Sequence, residues 1–230
     1  NNAIGYHTGK ALTTGTYNNL LGNSAGQSIT TASGSVFIGG SAGRDTTTGN
    51  RNIAIGFAAM LNGTTTGDNN IAIGAYAGDA ITSGQNNVLM GPEAGGAVTT
   101  GQANIAIGFR SLYYASTQAD SNVAIGYQSM FGNFSTADVD GCVAVGRDSL
   151  SGVLTSDAAN TVAIGRKSLY ALTSGIANTA IGYQALDACS TSDYNTAVGY
   201  EALSAVTTGN GMNTAIGRVA GFSTSDGEYN

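Results

Sequence analysis

The sequence predicts an all-β protein, a parallel β-solenoid of about 13 coils of 17–18 residues, and three observations predict it. A short motif, written Asn178-Thr179-Ala180-Ile181-Gly182 in its best copy, recurs along the whole chain. The spacing of the motif is nearly constant. The composition suits tight corners and stacked small residues, with 35 Gly, one Pro, no Trp and 10% charged residues in 230. In such an array each unit buries its apolar face only against its neighbours.

The glycine that closes the motif sets the register of every coil. Successive closing glycines lie 17 to 20 residues apart. They are Gly5, Gly22, Gly39, Gly56, Gly74, Gly91, Gly108, Gly126, Gly146, Gly165, Gly182, Gly199 and Gly217.

Four residues before each closing glycine stands Asn in ten of thirteen coils, including Asn178, Asn195 and Asn213. A β-branched column, an Ala column (Ala180) and an Ile or Val column (Ile181) follow. Four β-prone residues ended by Gly predict a short strand. Because side chains alternate across a strand, the Asn and Ala columns share one face, and the two aliphatic columns share the other. Parallel stacking at about 4.8 Å then predicts a ladder of asparagine amides.

The rest of each coil is small and polar. The third residue after the closing glycine is Ala or Ser in twelve coils, and the fourth is Gly, Leu or Met. A Thr-Thr-Gly arc then leads to the next Asn, as in Thr99 to Gly101. This order predicts a strand, a tight corner, a second short extended segment and a turn. No segment holds a 3.6-residue period, so no helix is expected.

The size of the central strand residue is related to the size of the residue four positions after the closing glycine. Bulky residues replace Ala in three strands, and those coils carry Gly four residues after the closing glycine. The pairs are Leu20 with Gly26, Phe37 with Gly43 and Leu89 with Gly95. Close packing predicts that each pair shares one volume.

Charge and hydropathy exclude several partners. The net charge is −6 and the eight Lys and Arg residues are scattered, so nucleic acid is not expected as a partner. No apolar stretch approaches the roughly 20 residues of a membrane helix, so this segment is not expected to insert into a membrane. The repeat runs from Asn1 to Asn230, which predicts a single array, residues 1–230, cut from a longer fibrous protein.

A coil of 17 residues encloses a thin core, and thirteen coils would make a rod on the order of 60 Å long. A lone rod of this kind would display apolar columns to water. We therefore expect several chains to share the core.

The Asn…Ala-Ile-Gly…Ala columns resemble the head repeats of trimeric autotransporter adhesins and the related arrays of bacteriophage tail fibres. The resemblance covers residues 1–230. It implies a left-handed parallel β-roll, a homotrimer, and attachment to a host-cell surface glycan or protein from a virion or a bacterial surface. The longer Thr-Gly arcs look more like phage fibres, which favours a tail-fibre segment; the alternative is the head domain of a bacterial adhesin.

No set of residues predicts an enzyme, a cofactor or a metal site. His7 is the only histidine and stands at a corner. Asp138 and Asp140 form an Asp-x-Asp pair, but the dense Asp pattern of calcium-binding β-rolls is absent. Cys142 and Cys189 lie more than two coils apart, beyond the reach of a disulfide, and are expected to be free and buried.

Other solenoids fit less well. Hexapeptide acyltransferases need an essential His and a strict 18-residue triangle, and neither is present. Ice binding through Thr ladders needs hydroxyls on one face, whereas adjacent Thr residues diverge on a strand. Glycan cleavage needs a carboxylate pair, and no pair stands out.

Recognition is most plausible in the irregular middle, where the arcs carry Tyr113, Tyr114, Phe131 and Phe134. The alternative is that these rings pack against an adjacent arc or chain. A looser aromatic column follows the closing glycines and is expected to seal a corner. It consists of Tyr6, Phe57, Phe109, Tyr127, Tyr183 and Tyr200.

Overall fold

A computed structural model describes residues 1–115, 119–133, 139–154, 158–209 and 211–222. The chain divides into two compact units, Asn1–Thr117 and Gln118–Asn230. Both units are parallel β-solenoids built from the predicted repeat, and no helix occurs in the described ranges. Consequently no helix in this part of the chain is long and apolar enough to cross a membrane.

Each coil contributes one three-residue strand, and the strands of each unit pair in parallel in chain order. In the first unit they are β1 (Asn2–Ile4), β2 (Asn19–Leu21), β3 (Val36–Ile38), β4 (Ile53–Ile55), β5 (Ile71–Ile73), β6 (Val88–Met90) and β7 (Ile105–Ile107). In the second they are β8 (Val123–Ile125), β9 (Val143–Val145), β10 (Val162–Ile164), β11 (Thr179–Ile181), β12 (Thr196–Val198) and β13 (Thr214–Ile216).

The strands stack in the register that the columns predict. Ala180, for example, pairs with Ala163 on one side and with Ala197 on the other. The central residue of every strand from β2 to β13 is buried, whereas the first and third residues remain partly or largely exposed. The predicted division of columns between two faces is confirmed. The Ala column points inward, with Leu20, Phe37 and Leu89 in place of Ala in three coils, and the two mostly aliphatic columns point outward.

The asparagine column forms the predicted ladder. Asn87 is fully buried, and its Nδ2 donates to the Gly101 carbonyl at 2.8 Å and to Asn70 Oδ1 at 3.0 Å. Its Oδ1 accepts the backbone N–H and the side-chain amide of Asn104, both at 3.0 Å. The same pattern links Asn178, Asn195 and Asn213 in the second unit. Each amide therefore fixes the strand entry of its own coil and of the next.

The expectation of a second extended segment in each coil is wrong. The second and fourth residues after each closing glycine have left-handed φ angles, from 50 to 59° and from 49 to 66°. Because left-handed φ angles recur at every second residue here, the N–H groups of the second and fourth residues point toward opposite neighbouring coils. The Ser24 N–H donates back to the Tyr6 carbonyl at 2.8 Å, and the Gly26 N–H donates forward to the Ala42 carbonyl at 2.9 Å. The coils are thus joined here by hydrogen bonds without a strand.

The closing glycine is required for two reasons. Gly91, like its equivalents, has a φ of 127°, which L side chains rarely adopt. A Cβ atom there would lie 2.7 Å from the Gly108 carbonyl oxygen of the next coil. The motif therefore ends in glycine because the backbones of adjacent coils nearly touch at this corner.

Candidate functional site

The structure places the predicted contact residues Tyr113 and Tyr114 side by side in the first unit. Their ring centroids lie 4.6 Å apart in an edge-to-face arrangement. Tyr113 is half-buried over Gly96, where an added Cβ would lie 2.6 Å from its ring, and Arg110 lies 5.4 Å from its centroid. Desolvation, followed by the charge of Glu93, raises the pKa of the Tyr113 hydroxyl. Tyr113 thus packs against an adjacent coil, while Tyr114 is exposed.

The two predicted phenylalanines belong to the second unit. Phe131 is half-buried. Phe134 lies outside the described residues, as does Asp138 of the Asp-x-Asp pair.

The residues weighed for catalysis have structural partners. His7 stacks on Tyr6 with ring centroids 3.9 Å apart. Asp140 accepts the backbone N–H of Asp120 at 2.8 Å, which fixes an arc. Cys142 and Cys189 are free and buried, as predicted, and burial raises the pKa of each thiol to about 11. Among the described residues no cluster of three His, Cys, Asp or Glu side chains is placed to hold a metal ion.

The outward strand residues form a continuous apolar face on each unit. In the first unit this face covers the first and third residues of β3 to β7, and in the second unit those of β8 to β10. Met90 and Ile164, for example, each remain 37% exposed although strands of their own unit flank both sides. None of these outward positions carries a charge. The face is therefore apolar and uncharged on a protein of net charge −6.

Four of the six rings in the aromatic column after the closing glycines are exposed and do not seal a corner as expected, whereas Phe109 and Tyr183 are half-buried. Tyr6, Phe57, Tyr127 and Tyr200 are 67, 58, 45 and 44% exposed.

In the second unit the same column also contains three arginines, which we had not singled out from the sequence. We call the set the arginine–tyrosine strip; it comprises Tyr127, Arg147, Arg166, Tyr183, Tyr200 and Arg218. The signal was available, because Arg147, Arg166 and Arg218 each directly follow a closing glycine.

Every guanidinium group of the strip lies near a ring of the strip. Arg147 lies 5.2 Å from the Tyr127 centroid and pairs with Asp148 at 3.2 Å. Further along, Tyr183 and Tyr200 stack with centroids 5.1 Å apart and an interplanar angle of 18°. Arg166 lies 5.8 Å from the Tyr183 centroid and Arg218 lies 5.5 Å from the Tyr200 centroid. Two stacked rings are thus flanked by two cations.

Comparisons with models of protein families, with curated proteins and with solved structures found no match to this chain.

Proposed function

We propose that this chain is a structural and adhesive fibre segment whose copies associate as a parallel homotrimer through the apolar face. The proposal includes the left-handed β-roll form and an extracellular setting, as part of a phage tail fibre that presents a host-binding surface. The resemblance of the repeat to fibre and adhesin arrays supports this setting. The apolar face carries the proposal of self-association.

The inward side of the coil explains why the face needs a partner. The strand residue that points inward is Ala in most coils and the residue before the strand is a buried Asn, so each coil buries little aliphatic volume here. The larger Ile and Val side chains are the ones left in water. Continuous apolar surfaces of this kind on soluble proteins mark interaction sites, because their removal from water is favourable by about 25 cal/mol per Å².

A second copy of this chain is the partner that fits the face best. The two aliphatic columns repeat at the coil spacing, and a parallel copy offers the same repeat in register. The uncharged face also lets copies approach although each carries a net charge of −6. Closed rotational symmetry limits such an assembly to a defined number of chains.

Light scattering after gel filtration tests the proposal on the full chain. We expect a mass of three copies of 22.9 kDa. A variant with Ile55→Glu and Ile73→Glu puts two charges on the face and is expected to be a folded monomer. The matched control, Thr64→Glu with Ser83→Glu, adds the same charge at exposed arc positions and should stay trimeric. A folded monomer for the unchanged chain would refute self-association.

A further inference from the structure

The arginine–tyrosine strip contains two cations that no acidic side chain of the described residues neutralises. Arg166 and Arg218 are exposed, and neither forms an ion pair with any residue in the described ranges. The other strip arginine, Arg147, is paired with Asp148. On a chain with 14 acidic and eight basic residues, two unpaired guanidinium groups in one column are a local exception to the overall charge.

The stacked rings orient these two guanidinium groups. A guanidinium over an aromatic face keeps its N–H edges free, and the cation–π contact holds the flexible side chain in place. Such edges match the two oxygens of a carboxylate and donate two parallel hydrogen bonds to it. Stacking therefore reduces the conformational entropy that the arginine side chain loses when an anion binds.

The spacing of the site favours an extended ligand. Arg166 and Arg218 follow closing glycines three coils apart, which corresponds to roughly 14 Å at the spacing of parallel strands. Between them stand Tyr183 and Tyr200, and amphipathic tyrosines contribute both apolar contact and hydroxyl groups. The side chain of Glu201, the next residue in sequence, raises the pKa of the Tyr200 hydroxyl.

We propose that Arg166, Tyr183, Tyr200 and Arg218 form a binding site for an acidic polysaccharide. Its chain lies along the stacked tyrosines, and two of its carboxylates each bind one guanidinium. This assignment rests on the proposed adhesive function and gives it a ligand class. A neutral glycan leaves both guanidinium groups without a counterion and binds weakly.

The test is calorimetric titration of the full chain with oligogalacturonates and oligosialic acids of two to ten residues. We expect affinity to rise with length until the ligand spans both arginines. The variant with Arg166→Gln and Arg218→Gln should bind roughly a hundredfold more weakly, because it loses two pairs of charge-assisted hydrogen bonds and each pair is worth about tenfold. Neutral dextran oligosaccharides should give no measurable binding.

The control variant, Lys10→Gln with Arg51→Gln, removes the same charge from exposed positions outside the strip. It should bind within about twofold of the unchanged chain, since long-range attraction alone is screened beyond about 10 Å in 0.1 M salt. The proposal would be overturned if the two variants lost affinity for the acidic oligosaccharides equally. It would also be overturned if dextran sulfate bound as tightly as these oligosaccharides and neither variant weakened that binding. The absence of binding to both acidic oligosaccharides would overturn it as well.

The same samples separate this proposal from the previous one. A trimer that binds neither oligosaccharide overturns the strip site and leaves the shared apolar face standing. A folded monomer that binds through Arg166 and Arg218 overturns the homotrimer and leaves the site.

Discussion

A Cβ atom added to Gly43 would lie 2.5 Å from the ring of Phe37, so these two residues of one coil occupy a single volume. The same relation crosses between coils. A Cβ atom added to Gly9 would lie 3.0 Å from Leu20 of the next coil, and one added to Gly78 would lie 2.8 Å from Leu89 of the next coil. Each bulky strand residue therefore fills the space above two glycines, one in its own coil and one in the coil before. Seven of the ten coils with Ala in the strand carry Leu or Met four residues after the closing glycine, and side chains such as Met60 fill those coils from the other side.

Exchanging the sizes of this pair should restore stability that either single change removes. Phe37→Ala alone should cost about 3–5 kcal/mol because it leaves a cavity. Gly43→Leu alone overpacks the same space and should cost about 1–3 kcal/mol. The double variant reproduces the arrangement of the coil with Ala54 and Met60. We expect it to be more stable than the Phe37→Ala single variant, as measured by urea unfolding.

The double-mutant cycle decides the point, with an expected coupling of about 1–3 kcal/mol. Additive losses would contradict a shared volume. The pair Phe37→Ala with Gly95→Leu, in which Gly95 faces Leu89 in another coil, serves as the control and should show no compensation.

The asparagine ladder should be more sensitive to substitution than its surface counterparts. Asn87→Ala leaves the Gly101 carbonyl and the Asn104 N–H without their buried partner. An unsatisfied buried group costs about 1–3 kcal/mol, so the variant should lose about 2–6 kcal/mol of the free energy of unfolding. Urea unfolding measures the loss. Gln85→Ala removes an exposed amide two residues earlier and should change stability by less than about 0.5 kcal/mol. Similar losses in both variants would contradict a structural role for the ladder.

The columns were readable from the sequence because a solenoid places like residues above like residues. Periodicity alone placed Ala180 and Ile181 on opposite faces, and the structure confirms this, with Ala180 buried and Ile181 exposed. The segment after the closing glycine was not readable, because the left-handed conformation falls on residues as different as Ser24, Ala58 and Glu201. No residue type marks it, so composition predicted an extended segment. The arginine–tyrosine strip needed only the alignment of one more column.

Replacing Thr46 by Val should stabilise the protein. Thr46 is fully buried, and its Oγ1 is the one buried side-chain polar atom without a hydrogen-bond partner among the described residues. The backbone N–H of Thr46 donates to the Gly43 carbonyl at 3.2 Å. In other coils the backbone N–H of Ile29 donates in the same way to Gly26, and that of Val98 to Gly95. Aliphatic side chains thus occupy the equivalent positions. Removing a hydroxyl without a partner at constant shape should add about 1 kcal/mol.

Thermal unfolding of Thr46→Val should show the gain as a higher midpoint. Thr64→Val, at an exposed arc position, controls for the general effect of valine and should leave the midpoint nearly unchanged. A lower midpoint for Thr46→Val would mean that the hydroxyl is satisfied in solution.

The two buried thiols should make stability fall at high pH. Burial raises the pKa of Cys142 and of Cys189 from 9.0 to about 11, so both stay neutral in the folded protein when the unfolded chain has begun to ionise. The unfolded state then holds fewer protons than the folded state, and stability decreases as pH rises. Their contribution is constant below about pH 9 and is lost between pH 9 and pH 11. Urea unfolding across this range measures the slope.

The repeat itself supplies the substitutions that remove the thiols. Ser35 occupies the column of Cys142, and Val206 occupies that of Cys189, so Cys142→Ser with Cys189→Val fits the coil. Its stability should fall less steeply between pH 9 and pH 11 than that of the unchanged chain, because the two proteins differ only in the thiols. In agreement, neither thiol of the folded chain should react with a disulfide reagent at pH 8, since the thiolate is the nucleophile. Parallel pH profiles, or rapid labelling of the folded protein, would show that the thiols are accessible to water.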